Sequence, residues 1–187
     1  MRSLAPSALP RKRRKGSENS SLLYGRYPSG GLLGPSETQV RVPYTIVPSD
    51  DDAPNVAVPV LRVQLGIAGA KVPPGIFIPT IVDTGATYSL FQAEVGDAIG
   101  LDVERGRLEE TRVSNGETMQ FFVHQVRVWF GEYHVDLEAG FGEEVDFPVL
   151  GRVGFFDHFK ITFDNGSSPP GFEILPINRN HSLTLIM

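Results

Sequence analysis

The chain has 187 residues, 41% of them hydrophobic, a formal net charge of −5 and no cysteine. That length can bury one good core, the acidic balance disfavours nucleic acid as a partner of the folded part, and the lack of cysteine excludes disulfides, thiolate nucleophiles and thiolate metal sites. No window approaches the roughly 18 uninterrupted apolar residues of a membrane helix, so no membrane span is expected; the setting expected is intracellular and cytoplasmic.

Residues 1–37 are rich in Ser, Pro, Gly and basic residues and show no helical or strand period, so they are expected to form a disordered arm. The run Arg11-Lys12-Arg13-Arg14-Lys15 reads as a nuclear address, an anionic-surface contact or a solvated tail. It is followed by Gly16 and Ser17 rather than an apolar stretch, which argues against a secretory signal. The folded domain is expected over residues 38–178, with a C-terminal tail over 179–187.

The segment from Gln39 to Val47 alternates as a strand, and Pro43 places it at an edge. Asp50, Asp51 and Asp52 lack the Gly and terminal Glu of a calcium loop and read as a solvated connection. A second strand runs from Val58 to Ile67, with Arg62 and Gln64 on its polar side. Pro73-Pro74-Gly75 then turns the chain into Ile78-Pro79-Thr80-Ile81-Val82, which reads as a strand buried on both faces.

That strand runs into Asp83-Thr84-Gly85-Ala86. An ionisable side chain among Ile81, Val82 and Ala86 is costly unless it is paired or performs chemistry, so Asp83 is the first candidate functional residue. Gly85 permits a sharp reversal, and the Thr84 hydroxyl can brace a neighbouring loop. Beyond it, Gln92 to Ile99 is a helix ended by Gly100. Leu108–Val113 and Thr118–Val123 form a hairpin around Ser114-Asn115-Gly116-Glu117, and Gln125–Phe130 and Tyr133–Glu138 form another around Gly131-Glu132. Phe147-Pro148-Val149-Leu150-Gly151-Arg152 is followed by a short helix over Gly154–Phe159, a strand from Lys160 to Asp164 and a final strand from Phe172 to Ile177. The expected fold is mostly β with one or two short helices. Trp129, Phe155 and Phe156 read as core.

Val82-Asp83-Thr84-Gly85-Ala86 resembles the active-site loop of the retropepsin-like aspartic proteases, and Phe147-Pro148-Val149-Leu150-Gly151-Arg152 is similar to the element that packs beneath that loop. The likeness covers about Val56 to Ile177. It implies a closed acid-protease barrel or sandwich acting as a homodimer. It also implies that Asp83 is catalytic, that Thr84, Gly85 and Ala86 form the active-site loop, that Ser114, Asn115 and Gly116 tip a substrate-binding flap, and that Leu150, Gly151 and Arg152 support the loop. Many viral members carry an Asp two residues after the Gly, paired with the Gly-Arg arginine; here that position is Thr87, which leaves the partner of Arg152 open.

Aspartic-protease chemistry needs two carboxylates close enough to share a proton, one acting as base on a water and the other as acid toward the peptide carbonyl. The sequence has a single D-[ST]-G, since Asp164 is followed by Asn165, so two chains would each donate Asp83. The expected activity is an aspartic endopeptidase acting on a peptide or protein, with no metal and no cofactor. His124, His134, His158 and His181 have no ligand spacing. Ser89 has no identifiable base, which disfavours a serine hydrolase. The alternative is a non-catalytic retropepsin-like dimerisation or protein-binding module.

Overall fold

The computed structural model describes residues 39–48, 54–112 and 116–177. The arm, the aspartate triplet, the C-terminal tail and both expected domain boundaries lie outside them, as do Ser114 and Asn115. The chain divides into two units: Met1–Gly31, outside the described residues, and Leu32–Met187, which holds every element below.

Twelve strands and one α-helix are formed in this second unit: β1 (Val40–Pro43), β2 (Thr45–Val47), β3 (Val56–Val58), β4 (Val60–Ile67), β5 (Ile78–Val82), β6 (Leu90–Gln92), α1 (Ala93–Ala98), β7 (Arg107–Arg112), β8 (Thr118–Phe130), β9 (Tyr133–Gly142), β10 (Val149–Leu150), β11 (Phe159–Asp164) and β12 (Gly171–Pro176). Six of them pair in the order β4-β5-β10-β6-β9-β8, and β8 returns to β4, which closes a barrel; β7 extends β8 outside the ring. Closure removes sheet edges that would otherwise invite pairing with other chains.

β1, β12 and β11 form a separate three-stranded sheet with β1 at its edge. Pro43, the last residue of β1, lacks an N–H and is tolerated there, as its sequence position implied. The expected second strand is interrupted at Pro59: β3 pairs with β2, and β4 enters the barrel.

The strand period decides what the barrel buries. Val63 and Leu65 of β4 point inward and are fully buried, while Arg62 and Gln64, which alternate with them, are half-buried. They meet Val126 and Val128 of β8, Val135 and Leu137 of β9, and Phe91, Phe141 and Leu150 in one apolar cluster. Each such side chain contributes roughly 1.5–3 kcal/mol by leaving water. Trp129 and Phe155 belong to the buried set, as expected, while Phe156 packs at its margin. In β5 the inward Thr80 and Val82 are buried and Ile81 only half-buried, so this strand is less enclosed than its apolar sequence suggested.

β8 runs unbroken through both expected hairpins. Its first half pairs with β7 and its second half with β4, while β9 runs alongside from Phe122 to Phe130. Its even-numbered face enters the main core; its odd-numbered face at Met119, Phe121 and Val123 is buried instead with Leu90 and Val145 in a second cluster.

α1 ends on paired bonds from Gly100 N–H to the Asp97 carbonyl and Leu101 N–H to the Gly96 carbonyl, both 3.0 Å, a Schellman stop at the predicted place. The second helix expected over Gly154–Phe159 does not form. That stretch is a chain of turns: Gly154 has φ +93°, and its N–H is taken by the Asp157 side chain at 3.1 Å. Phe155 and Phe159 instead pack against each other with centroids 5.0 Å apart and the rings tilted by 36°, and both rings meet Phe130.

Candidate active site

β10 lies between β5 and β6, parallel to the first (Val149↔Ile81, Leu150↔Val82) and antiparallel to the second (Val149↔Leu90). The chain leaving β5 must therefore pass around the end of β10 to reach β6, and this crossing contains Asp83-Thr84-Gly85-Ala86. Three backbone bonds hold the point of departure: Ile81 N–H to the Pro148 carbonyl at 2.9 Å, Val82 N–H to Pro59 at 2.8 Å and Asp83 N–H to Leu150 at 3.1 Å.

Beyond Val82 the loop is shaped by the carboxylate itself. Asp83 Oδ1 accepts the Gly85 N–H at 2.8 Å, and the Ala86 N–H reaches the Asp83 carbonyl at 3.3 Å. A Cβ at position 85 would lie 3.1 Å from Asp83 Oδ1, so glycine leaves that oxygen room. Asp83 and Ala86 are half-buried, whereas Thr84 and Gly85 are exposed. Among the described residues the hydrogen-bond partner of the carboxylate is the Gly85 amide, and one chain does not pair it with a second carboxylate.

The element after β10 clasps this loop. Arg152 N–H donates to the Ala86 carbonyl at 3.0 Å and Val153 N–H to the Thr87 carbonyl at 2.7 Å. Gly151 passes so close that a Cβ there would meet the Tyr88 carbonyl oxygen at 2.3 Å. Ser89, fully buried, accepts the Gly151 N–H at 3.1 Å. Leu150 is fully buried beneath. The open question about Arg152 has a direct answer: its Nη2 donates to Thr87 Oγ1 at 3.1 Å, so a hydroxyl stands where a carboxylate was the alternative.

The hairpin of β7 and β8 has the register Arg112↔Thr118. Gly116 has φ +86°, a conformation that costs other L-residues roughly 1–2 kcal/mol. The hairpin is tied at its base, where Arg107 Nη1 and Nη2 meet the two carboxylate oxygens of Glu138 at 3.2 and 3.1 Å; those bonds hold the Glu138 carboxyl below its ordinary range. It is tied to the Asp83 loop by Phe121, whose ring centroid is 5.1 Å from that of Tyr88.

A cavity of about 670 Å³ lies on the other side of this hairpin, between Phe122, Glu110 and the segments carrying Asp97, Asp102, Glu104 and Glu143. Asp83 does not line it. The family resemblance implied that the Leu150 to Arg152 element packs against the Asp83 loop, and backbone bonds from Asp83 to Leu150 and from Arg152 to Ala86 join the two. The contacts of Thr87 with Arg152 and of Ser89 with Gly151 were not read in advance; the visible signal was two small polar residues within a run otherwise made of Ala86, Tyr88, Leu90 and Phe91.

Residues 63–152 match the aspartyl protease family model, a stretch that contains Asp83, the β7–β8 hairpin and Arg152. A retropepsin-like aspartic protease from Rickettsia conorii has a similar structure, with a TM-score of 0.50 at 14% identity, covering 75% of this chain and 99% of that one. An EIAV protease complexed with the inhibitor HBY-793 aligns with a TM-score of 0.38 at 18% identity, over 57% of this chain and 88% of that one. No curated protein matches the chain in sequence. Residues 63–152 are thus similar to the aspartyl protease family, and the fold that carries them is retropepsin-like. Among the described residues no helix is long and apolar enough to cross a membrane.

Proposed function

We propose that this chain is one half of a homodimeric aspartic endopeptidase whose two Asp83 carboxylates form the catalytic pair. The observation that carries the reading is the half-buried Asp83 at the β5–β10 crossing. One of its oxygens is held by the Gly85 amide, its exposed neighbours Thr84 and Gly85 are free to meet another chain, and all of it lies within the aspartyl protease match.

Two carboxylates within hydrogen-bond reach cannot both ionise readily and share one proton. The ionised one takes a proton from a water as that water attacks the peptide carbonyl carbon; the protonated one gives its proton to the carbonyl oxygen. The resulting gem-diol collapses as a proton passes to the amide nitrogen, the C–N bond breaks, and a carboxylic acid and an amine leave. In this reading the Thr84 hydroxyl braces the partner's loop, and Gly85 and Ala86 offer backbone groups to the substrate. Ser114, Asn115 and Gly116 close over it as a flap, which excludes water from the developing charge. Leu150, Gly151 and Arg152 keep the loop in place.

The test is peptide cleavage by the purified full chain at acid and neutral pH, beside Asp83→Asn. An Asn side-chain oxygen can still accept the Gly85 amide, so the variant should fold and associate normally. Loss of a positioned acid–base group lowers turnover by about 10²–10⁴-fold. Substantial cleavage by Asp83→Asn, or a stable dimer of the unaltered chain that cuts no peptide, sinks the assignment; the second result favours the binding-module alternative.

A further inference from the structure

We propose that Arg152 is a specificity-determining residue of the Asp83 site, selecting peptides that carry a carboxylate two or three residues from the bond to be cut; this rests on reading the site as a peptidase's. The starting observation is a cation beside the Asp83 loop that has no carboxylate partner among the described residues. Arg41 meets Asp164 and Glu173, Arg105 meets Asp102, Arg107 meets Glu109 and Glu138, and Arg127 meets Asp136. Arg152 meets a hydroxyl, that of Thr87, and among the described residues no carboxylate lies within ion-pair distance of it. A hydroxyl orients a guanidinium without neutralising it. The remaining N–H donors of the fork, on an exposed side chain, keep the capacity for bidentate binding of a carboxylate.

The placement of this cation decides what it can act on. Its own backbone N–H is bonded to the Ala86 carbonyl, and the Ala86 N–H turns back onto the Asp83 carbonyl, which keeps Asp83 and Ala86 within about 7 Å of each other. An extended peptide advances about 3.3 Å per residue, so a substrate whose scissile bond lies at Asp83 comes level with the base of Arg152 about two residues away, and the length of the side chain extends that reach to the third. Thr87 fixes the direction of the fork, and the clasp between residues 151–153 and 86–88 fixes its base. A substrate glutamate or aspartate there replaces water around a preformed cation, whereas a lysine or arginine is repelled.

The test uses the full chain, a random dodecapeptide library and two readouts. Cut sites are read by mass spectrometry, and kcat/KM is then compared on matched Glu and Gln versions of a cleaved sequence. Separately, the library is partitioned on immobilised Asp83→Asn protein, which reads selection without turnover. The expected preference for Glu over Gln is about fivefold at moderate salt, the size of a partly exposed charge contact. It should vanish in Arg152→Gln and also in Thr87→Asp, which keeps the arginine but supplies an internal carboxylate. Equal handling of Glu and Gln by the unaltered chain in both readouts overturns the proposal, and cleavage of other sequences then leaves the peptidase reading standing. A preference that survives in both variants overturns it too. So does an unchanged preference in Arg152→Gln accompanied by weaker self-association in sedimentation, which would assign the carboxylate to a partner subunit. Acidic enrichment lost in both variants without any cleavage upholds the subsite and overturns the peptidase reading.

Discussion

A methyl group on residue 151 has nowhere to go, because the nearest atom, the Tyr88 carbonyl oxygen at 2.3 Å, belongs to the backbone of the very loop that Gly151 clasps. Relief requires that β10 or the loop around Asp83 move. Gly151→Ala is therefore expected to cost roughly 1–3 kcal/mol, the usual range for overpacking a tight contact. Gly75, where an added Cβ meets nothing within 4 Å, is the control, and Gly75→Ala should stay within about 0.5 kcal/mol. Chemical denaturation of the two variants checks this; equal stabilities would show that the clasp is not tight. Ser89 belongs to the same argument, since its hydroxyl is the buried acceptor of the Gly151 amide.

In the β8–β9 hairpin, charge and burial act together. Arg127 grips Asp136 through Nε and Nη2 at 2.6 Å each, and these bonds hold the Asp136 carboxyl below its ordinary range. Two positions along, His134 opposite Trp129 is pushed below the usual imidazole value, first by burial and then by the Arg127 charge. In both cases the unfolded chain binds protons more readily than the folded one, so stability rises with pH. The His134 contribution is complete above about pH 6.5 and fades as pH falls below it; the Asp136 contribution fades below about pH 3.9. Denaturant midpoints measured from pH 7.5 to 3 should thus decline in two stages. His134→Gln should flatten the first stage and Asp136→Asn the second, and a midpoint that rises on acidification would contradict the account. The β7–β8 hairpin makes a different demand, for its anchors at Arg107 and Phe121 leave Gly116 to set the turn. Gly116→Val should lower peptide turnover more than the melting temperature, because the strain falls on the part proposed to close and not on the barrel. Unchanged turnover would place closure elsewhere.

For the whole molecule the proposed site is a property of two chains, so its concentration dependence is diagnostic. Activity per chain should fall when the protein is diluted through the dissociation constant of the dimer, since a lone chain holds one Asp83. Sedimentation and cleavage measured over the same dilution series check this. Constant specific activity where sedimentation shows single chains would require a second acid within one chain.

How much of this was legible in advance follows from the range of the interactions. Side-chain alternation, the Gly131-Glu132 turn, the stop at Gly100 and Pro43 at an edge are decided by residues a few positions apart, and the structure has them where local chemistry placed them. The aspartate at an apolar strand end was legible because it is anomalous in its own neighbourhood, whereas the Leu150-Gly151-Arg152 element was legible only through its resemblance to a known family. The residues 154–159 misled because paired aromatics satisfy a helical period and a packed turn equally well, and only contact with Phe130 selects the turn. Closure of β8 onto β4, the passage of β10 between β5 and β6, and the meeting of Thr87 with Arg152 join residues about 65 positions apart, with no local signature. By itself the sequence determined most of the elements and the candidate acid. Only the tertiary structure decided what surrounds that acid, because those contacts depend on strand order, which chain-local propensities do not encode.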